Sequence, residues 1–522
     1  MATDVREQKF NSRWLFLVIL LLAILIATLI INLNKTNNFA ERVIGTVTVD
    51  NGDEKINWGR YQTVNVNLTD SYKIMKSGIY HLTGSIPDGS ITIDITKEDV
   101  VKLILDNVTI KNSTGPAISC LDGDDLVIEL VGENSLEDGA EYSGNLNEDI
   151  EGALYSRADL TFEGDGILNL TGNYQDGIVA KDDLKIKSGT YNITAADDAI
   201  RGKDSVYILN GDFKLESTAD AIKSTNETTA GKGFILIENG TFDIKSGAKG
   251  IKAINSILIY GGEYEINSYD DAIHSNNYVG IIDGEIKIDS GDDGIHADRE
   301  LIIDGGNIVI EKSYEALEAQ AVTIYDGEIS LISSDDGINA GGGADGSSMN
   351  RMGANPFDAD ENCVLTINGG DIYINAAGDG VDSNGYLYFN GGKVIVDGPT
   401  NNGNGALDSG IDIVMNGGEV IAIGASGMAE DLGSGSTIYN ISIYFKTTEL
   451  AGTKVEIKDS DGKTILNHTS AKSFNHIAAG SEDFIPTKTY TIYIDDEEYE
   501  SFTISNIVTT VGNSYDIMKQ RR

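Results

Sequence analysis

Cysteine and proline are scarce in this sequence of 522 residues, with 2 of the first and 5 of the second. Cys120 and Cys363 can close at most one bridge, so a disulfide framework is excluded. With 60 glycines against 5 prolines, the turns must be made by glycine and by short polar residues. Histidine is also rare: His81, His274, His296, His468 and His476 are too dispersed for a zinc cluster. His274 and His296 are the exception, since the register below stacks them one coil apart, and there they are expected as surface residues. Basic residues are the last shortage, 38 against 82 acidic ones, for a formal charge of −44. Such a field repels nucleic acid, so no nucleic-acid partner is expected, and an anionic partner must be met through cations or a local basic patch.

What is present begins with an uninterrupted apolar run at 14–31, flanked by Arg6, Lys9 and Arg13 before it and by a polar stretch after it. At about 1.5 Å per residue such a run crosses a bilayer with its basic flank inside. It is long for a signal peptide and no small-x-small cleavage site follows it. The expected layout is a cytoplasmic N-terminus at 1–13, a transmembrane signal anchor at 14–33 and a linker with N-terminal cap at 34–75. The bulk of the chain then lies outside the cell, on a single-pass membrane protein.

Short apolar strands ending in a glycine turn recur from there on. Examples are KIKSGTYNI around Gly189, YILNGDFKL around Gly211, LIENGTFDI around Gly240, LIYGGEYEI around Gly262 and YFNGGKVIV around Gly392. From Gly189 through Gly284, Gly306, Gly327 and Gly370 to Gly392 the spacings are 22, 29, 22, 22, 22, 21, 43 and 22 residues. Apolar and polar residues alternate inside each unit, which is strand periodicity. The Leu-x-x-Leu-x-Leu pattern of leucine-rich repeats is absent, and so is the nonapeptide step of calcium rolls. Three strands joined by turns fit 22 residues, and parallel connections are right-handed. The expected fold is all-β: a right-handed parallel β-helix of about 13 coils over 76–430, its strongest repeats running from Lys76 to Met428. The irregular segment 431–522 is expected as a C-terminal β-rich cap, with a hairpin at KVEIKDSDGKTIL (454–466). Insertions at 225–232, 341–362 and 137–150 account for the long spacings. In this register the two cysteines sit about nine coils, or roughly 40 Å, apart and cannot pair.

A second column follows nine residues after each glycine: Asp198, Asp220, Lys249, Asp271, Asp293, Glu315, Asp336 and Asp379. Stacked carboxylates about 4.8 Å apart repel by about 3.5 kcal/mol at an effective dielectric of 20, so the column needs counter-charge. A single Asp-Gly or Asp-Ala is ordinarily a turn. Doubled acids at Asp270 and Asp271, Asp292 and Asp293, and Asp335 and Asp336 exceed what a turn needs and suit a hard cation with several oxygen ligands. Three residues further on runs Arg201, Lys223, Lys252, His274, His296, Glu318, Asn339 and Asp382, basic in the lower coils and acidic or amide in the upper ones. The lower acids can be neutralised by salt bridges; the upper ones cannot. Ca2+ is therefore expected at Asp270, Asp271, Asp292, Asp293, Glu315, Glu318, Asp335, Asp336, Asp379 and Asp382, chiefly from Asp292 upward.

The segments AGDGVDSNGYLYFNGGKVIVDGPTNNGNGALDSG (377–410), GGEVIAIGASGMAE (417–430) and GIYHLTGSIPDGSITID (78–94) resemble a family of carbohydrate-binding β-helix proteins of clostridial type. The resemblance covers nearly all of the chain outside the membrane. It implies a pectate-lyase-like β-helix that carries calcium and binds polygalacturonate or cellulose without cleaving it. Carried over by position, Asp379, Asp382, Asn384, Asn404 and Asp408 are its matching polar residues. Lys249 and Glu315 interrupt the ladder, and the loop at 341–362 has its own sequence, which leaves the number of sites open.

The expected function is calcium-dependent binding of acidic or β-linked polysaccharide by a monomer, with Arg201, Lys223, Lys252, His274, His296, Asn384, Asn404 and Asp408 at the sugar. A polysaccharide lyase is the alternative; it needs calcium beside an Arg or Lys base, for which Arg201 and Arg299 are the candidates. Arg299 lies between Asp298 and Glu300, where an ion pair is the simpler role. A surface adhesin or structural envelope protein is a third reading, consistent with the sequons at Asn107, Asn169 and Asn192.

Overall fold

A computed structural model of the chain describes residues 49, 51–143, 150–341 and 359–512. Each coil consists of three short parallel strands and three turns. One coil runs Ile251–Ala253, Ser256–Ile259 and Glu263–Ser268, and the next repeats it as Ile273–Ser275, Tyr278–Ile281 and Glu285–Ser290. Equivalent positions pair in parallel: Ile251 with Ile273, Ser256 with Tyr278, Glu263 with Glu285. The right-handed β-helix read from the repeat is the fold observed. In the column that carries the acids, 14 strands stack from Tyr72–Ile74 to Leu407–Ser409. Parallel pairing begins before Lys76, since Thr63–Leu68 already lies along Gly78–Ile86.

Alternation along the strand after each glycine decides what fills the cylinder. Glu263–Ser268 alternates exposed and buried residues along its length, so Tyr264, Ile266 and Ser268 point inward. At the Tyr264 position the interior holds a run of rings. Tyr191 stacks on Phe213 at 5.0 Å, Phe213 on Phe242 at 4.8 Å and Phe242 on Tyr264 at 4.7 Å. The hydroxyls of Tyr191 and Tyr264 donate to the carbonyls of Ser188 and Gly261, so neither ring buries an unpaired polar atom. Gly262 shows why the turn demands glycine: its φ is +110° and an added Cβ would lie 2.8 Å from the Gly240 carbonyl oxygen.

The insertions leave from two corners. Residues 225–233 connect Ile222–Ser224 to Phe234–Ile237, and 341–363 connect Ile338–Ala340 to Val364–Ile367, both directly after the acid-bearing strand. The third insertion lies before that strand, between Glu133–Glu137 and Gly152–Ser156. Of these, 144–149 and 342–358 lie outside the described residues, as does the expected membrane segment at 14–33. No helix among the described residues is long and apolar enough to cross a membrane. Cys120 and Cys363 are buried free thiols.

At the far end the order changes. Glu419–Gly424, in the last coil, pairs antiparallel with Phe474–Ser481, which also pairs with Asn440–Glu449. Lys454–Asp459 and Thr464–Thr469 form the expected hairpin inside a separate four-stranded sheet with its own core around Ile457, Phe474 and Tyr490. Buried Asp397 ties this segment to the coils, accepting from His468 Nε2 at 2.9 Å, Ser470 Oγ at 3.0 Å and the Tyr373 hydroxyl at 2.9 Å.

Candidate functional site

The residues of the second column sit at the corner that leads into the short strand, and there the aspartates have a structural task. Asp176 Oδ1 accepts the backbone N–H of Asp198 at 3.0 Å, Asp198 Oδ1 that of Asp220 at 3.1 Å and Asp220 Oδ1 that of Lys249 at 3.0 Å. Asp271 does the same for Asp293, Asp293 for Glu315 and Asp336 for Asp379, at 3.0, 3.0 and 2.6 Å. One oxygen of each acid thus holds the next coil in register. The second is left for a counter-charge.

In the lower coils that counter-charge is built in. The column three residues on pairs in the expected order: Arg201 with Lys223, Lys223 with Lys252, Lys252 with His274, His274 with His296, His296 with Glu318, Glu318 with Asn339, Asn339 with Asp382, and Asp382 with Asp408. Arg201 bridges Glu151 and Asp176. Lys223 reaches Asp198 at 3.1 Å and Asp220 at 2.8 Å. Lys249 replaces an acid in the ladder and lies 3.0 Å from Asp270 and 2.5 Å from Asp271. Lys252 is half-buried between Lys223 and His274.

His274 and His296 are not surface residues as expected; they are 2% and 1% exposed. They stack one coil apart at 4.7 Å, and each turns its Nδ1 to the acid three residues before it, Asp271 at 2.7 Å and Asp293 at 3.1 Å. Buried imidazoles held this way against the ladder acids have no access to a polymer. Burial alone would raise the Asp271 carboxyl, but the hydrogen bonds from His274 and Lys249 outweigh it and hold the group well below the usual range.

From Asp335 upward the ladder meets no built-in cation among the described residues. Asp335, Asp336, Asp379, Asp382, Asp408 and Glu430 converge, and among the described residues none of the six is ion-paired. Burial pushes Asp336 up to about 7, with repulsion from Asp379 and Asp335 adding to it. Burial likewise brings Asp379 to about 6 and Glu430 to about 7. Asp382 is driven well above its normal value by burial and by Asp336, Asp379 and Asp408, and Asp408 is also raised by burial. A Cβ on Gly378 would meet Asp335 Oδ1 at 2.3 Å and Asp336 Oδ1 at 2.4 Å, so the absent side chain is what lets these carboxylates close in. Asn384 and Asn404 flank the group, both half-buried; Asn384 Nδ2 donates to the Gly341 carbonyl at 3.2 Å.

The expected site residues therefore divide into three groups. Asp270, Asp271 and Asp292 share one edge, with Asp292 exposed. Asp293, Glu315 and Glu318 gather around His296. Asp335, Asp336, Asp379, Asp382, Asn384, Asn404 and Asp408 form the third. Arg201, Lys223 and Lys252 are not with them: Arg201 lies seven coils, about 34 Å, below Asp382. Sequence reasoning missed Glu430, which carries no repeat signal, and the acceptor role of the ladder, which needed the corner geometry. It also missed Tyr269, 80% exposed beside Asp270, and Tyr314, 48% exposed beside Glu315.

The fold and this edge define a long parallel β-helix with a charge-graded acid ladder on one corner. A profile of the carbohydrate-binding domain-containing protein family matches residues 69–348 and 254–405, and the chain belongs to that family. A carbohydrate-binding domain-containing protein of Acetivibrio thermocellus is 33% identical over 147 residues, which are 27% of this chain and 51% of the relative. The chain thus spans about half the length of that curated relative. Among solved structures, the gadolinium derivative of a polysaccharide lyase-like protein from C. thermocellum is 26% identical, covering 48% of this chain and 94% of its own, with a TM-score of 0.35.

Proposed function

We propose that this chain is a non-catalytic polysaccharide-binding protein, anchored in the cell membrane through its N-terminal apolar run, whose upper acid cluster takes calcium and through it the carboxylates of an acidic glycan. The observation that carries this reading is the group Asp335, Asp336, Asp379, Asp382, Asp408 and Glu430, all acidic, half-buried and without an ion-pair partner among the described residues. The donor set fits the ion: it is oxygen-only, as calcium prefers, and Gly378 leaves the room a side chain would fill. Calcium bound there supplies positive charge where the polymer is negative. The chain's own residues do the rest: the ladder fixes carboxylate spacing, Asn384 and Asn404 offer amides, and exposed Tyr269 and Tyr314 offer ring faces to sugars lower on the same edge.

Family membership supports the carbohydrate, and the charge of −44 supports a cation between protein and an acidic chain. Arg201, a candidate base for elimination, is held by Glu151 and Asp176, which favours binding over cleavage. Retention on immobilised polygalacturonate tests this directly. Binding in calcium that is lost in chelator is the expected result; equal retention in both sinks the proposal.

A further inference from the structure

Between the amine-neutralised lower ladder and the bare upper cluster lies a coil pair built differently from both. His296 Nδ1 lies 3.1 Å from Asp293 Oδ2 and 2.9 Å from Glu318 Oε2, so one nitrogen faces carboxylate oxygens from two adjacent coils. That nitrogen carries at most one hydrogen and cannot serve both acceptors well. Asp293, His296 and Glu318 are all buried, and their ligand atoms lie within 4.8 Å of one another. The other ring nitrogen, Nε2, lies 3.4 Å from Asp298 Oδ1; a cation at this point takes the neutral ring, with the lone pair on Nδ1 and the proton on Nε2. On the next coil Asn339 stacks on Glu318 and donates its amide nitrogen to Glu315 Oε2 at 2.9 Å. This fixes the amide with its oxygen turned to the Gly341 side, away from Glu315.

We propose that Asp293, His296 and Glu318, with the Glu315 carboxylate beside them, bind one divalent cation of the zinc–manganese class. The imidazole nitrogen sets this site apart from the oxygen-only cluster above it, because nitrogen donors favour the transition cations over calcium. The neighbouring trio of Asp271, His274 and His296 is closed to a cation: the Lys249 ammonium already sits on Asp271 at 2.5 Å. The competing explanation makes His296 one more counter-ion of the ladder, in which case lysine would serve there as Lys223 does between Asp198 and Asp220.

Metal retention by the full chain decides between them, and it needs no glycan. Protein stripped with chelator is loaded with Zn2+ or Co2+ in a large excess of Ca2+, desalted and assayed for bound metal. The expected result is one retained equivalent, visible absorption bands for Co2+, and a retention at least about tenfold weaker in His296→Lys, which keeps the positive charge. No retained metal over calcium, or full retention in His296→Lys, overturns the proposal.

Discussion

The backbone N–H of Glu315 donates to Asp293 Oδ1 at 3.0 Å, one coil below it, while Asp293 Oδ2 faces His296 at 3.1 Å. The ladder aspartates are divided in this way: one oxygen belongs to the architecture and one to whatever cation stands beside it. A carboxylate therefore cannot be exchanged for a neutral apolar group without loosening the coil above, but it can be exchanged for an amide, whose oxygen still accepts.

Asp271 tests the division. It is fully buried and accepts from Lys249, His274 and the Asp293 N–H. Asp271→Ala takes one of two carboxylates from the buried Lys249 ammonium, and the acceptor from His274 and the Asp293 N–H, and is expected to cost about 3–5 kcal/mol in equilibrium denaturation. Asp271→Asn keeps the acceptor and should cost clearly less; equal losses would contradict the two-oxygen account.

Upper-cluster acids predict the pH dependence of stability. Their folded values are raised, to about 7 for Asp336 and Glu430 and about 6 for Asp379, above the unfolded range. Between about pH 4 and pH 7 the folded chain holds protons that the unfolded chain has lost, so their stabilising contribution is complete at the acid end and disappears as pH rises. In chelator, the melting temperature should fall across this window. Asp336→Asn with Asp379→Asn should flatten that slope, and added calcium should restore stability most at the neutral end. Calorimetry at fixed ionic strength reads all three.

Tyr269 separates binding from folding. Its ring is 80% exposed, so Tyr269→Ala should change stability by no more than about 0.5 kcal/mol. If the ring is a sugar platform, retention on polygalacturonate falls several-fold in the same variant. Unchanged retention would remove Tyr269 from the glycan site.

The ring stack should be the most sensitive part of the interior. Phe242 lies between Phe213 and Tyr264 with centroids 4.8 and 4.7 Å away, and Phe242→Ala should cost about 3–5 kcal/mol. Gly262→Ala should also destabilise, through a different cause: its φ of +110° and the 2.8 Å approach to the Gly240 carbonyl leave an added methyl no relaxed position.

Much of this architecture is legible in the amino-acid sequence, because a solenoid writes its contacts into its period. The order from Arg201 to Asp382, in the column three residues beyond the acids, appears residue for residue in the parallel pairing. What the period cannot encode is depth. His274 and His296 occupy positions that in other coils hold half-buried Arg201 and Lys223, and only the packing of Asp271 and Asp293 around them shows that they are enclosed. Glu430 is illegible for a related reason: it comes after the last regular coil, where no column predicts its neighbours. The rings of Tyr191, Phe213, Phe242 and Tyr264 are visible as strand residues, but their stacking depends on their facing the same way in four successive coils.

The ladder also makes the length of this protein a variable that changes in steps. Each coil repeats the same three corners, and the ladder aspartates each meet an equivalent backbone amide above, so a coil bounded by such aspartates could be removed or duplicated and the seam would close with its bonds intact. A fraction of a coil could not, since every later residue would move off its corner. The binding edge can therefore be extended or shortened in increments of about 4.8 Å, and each increment brings its own choice of lysine, histidine or bare acid.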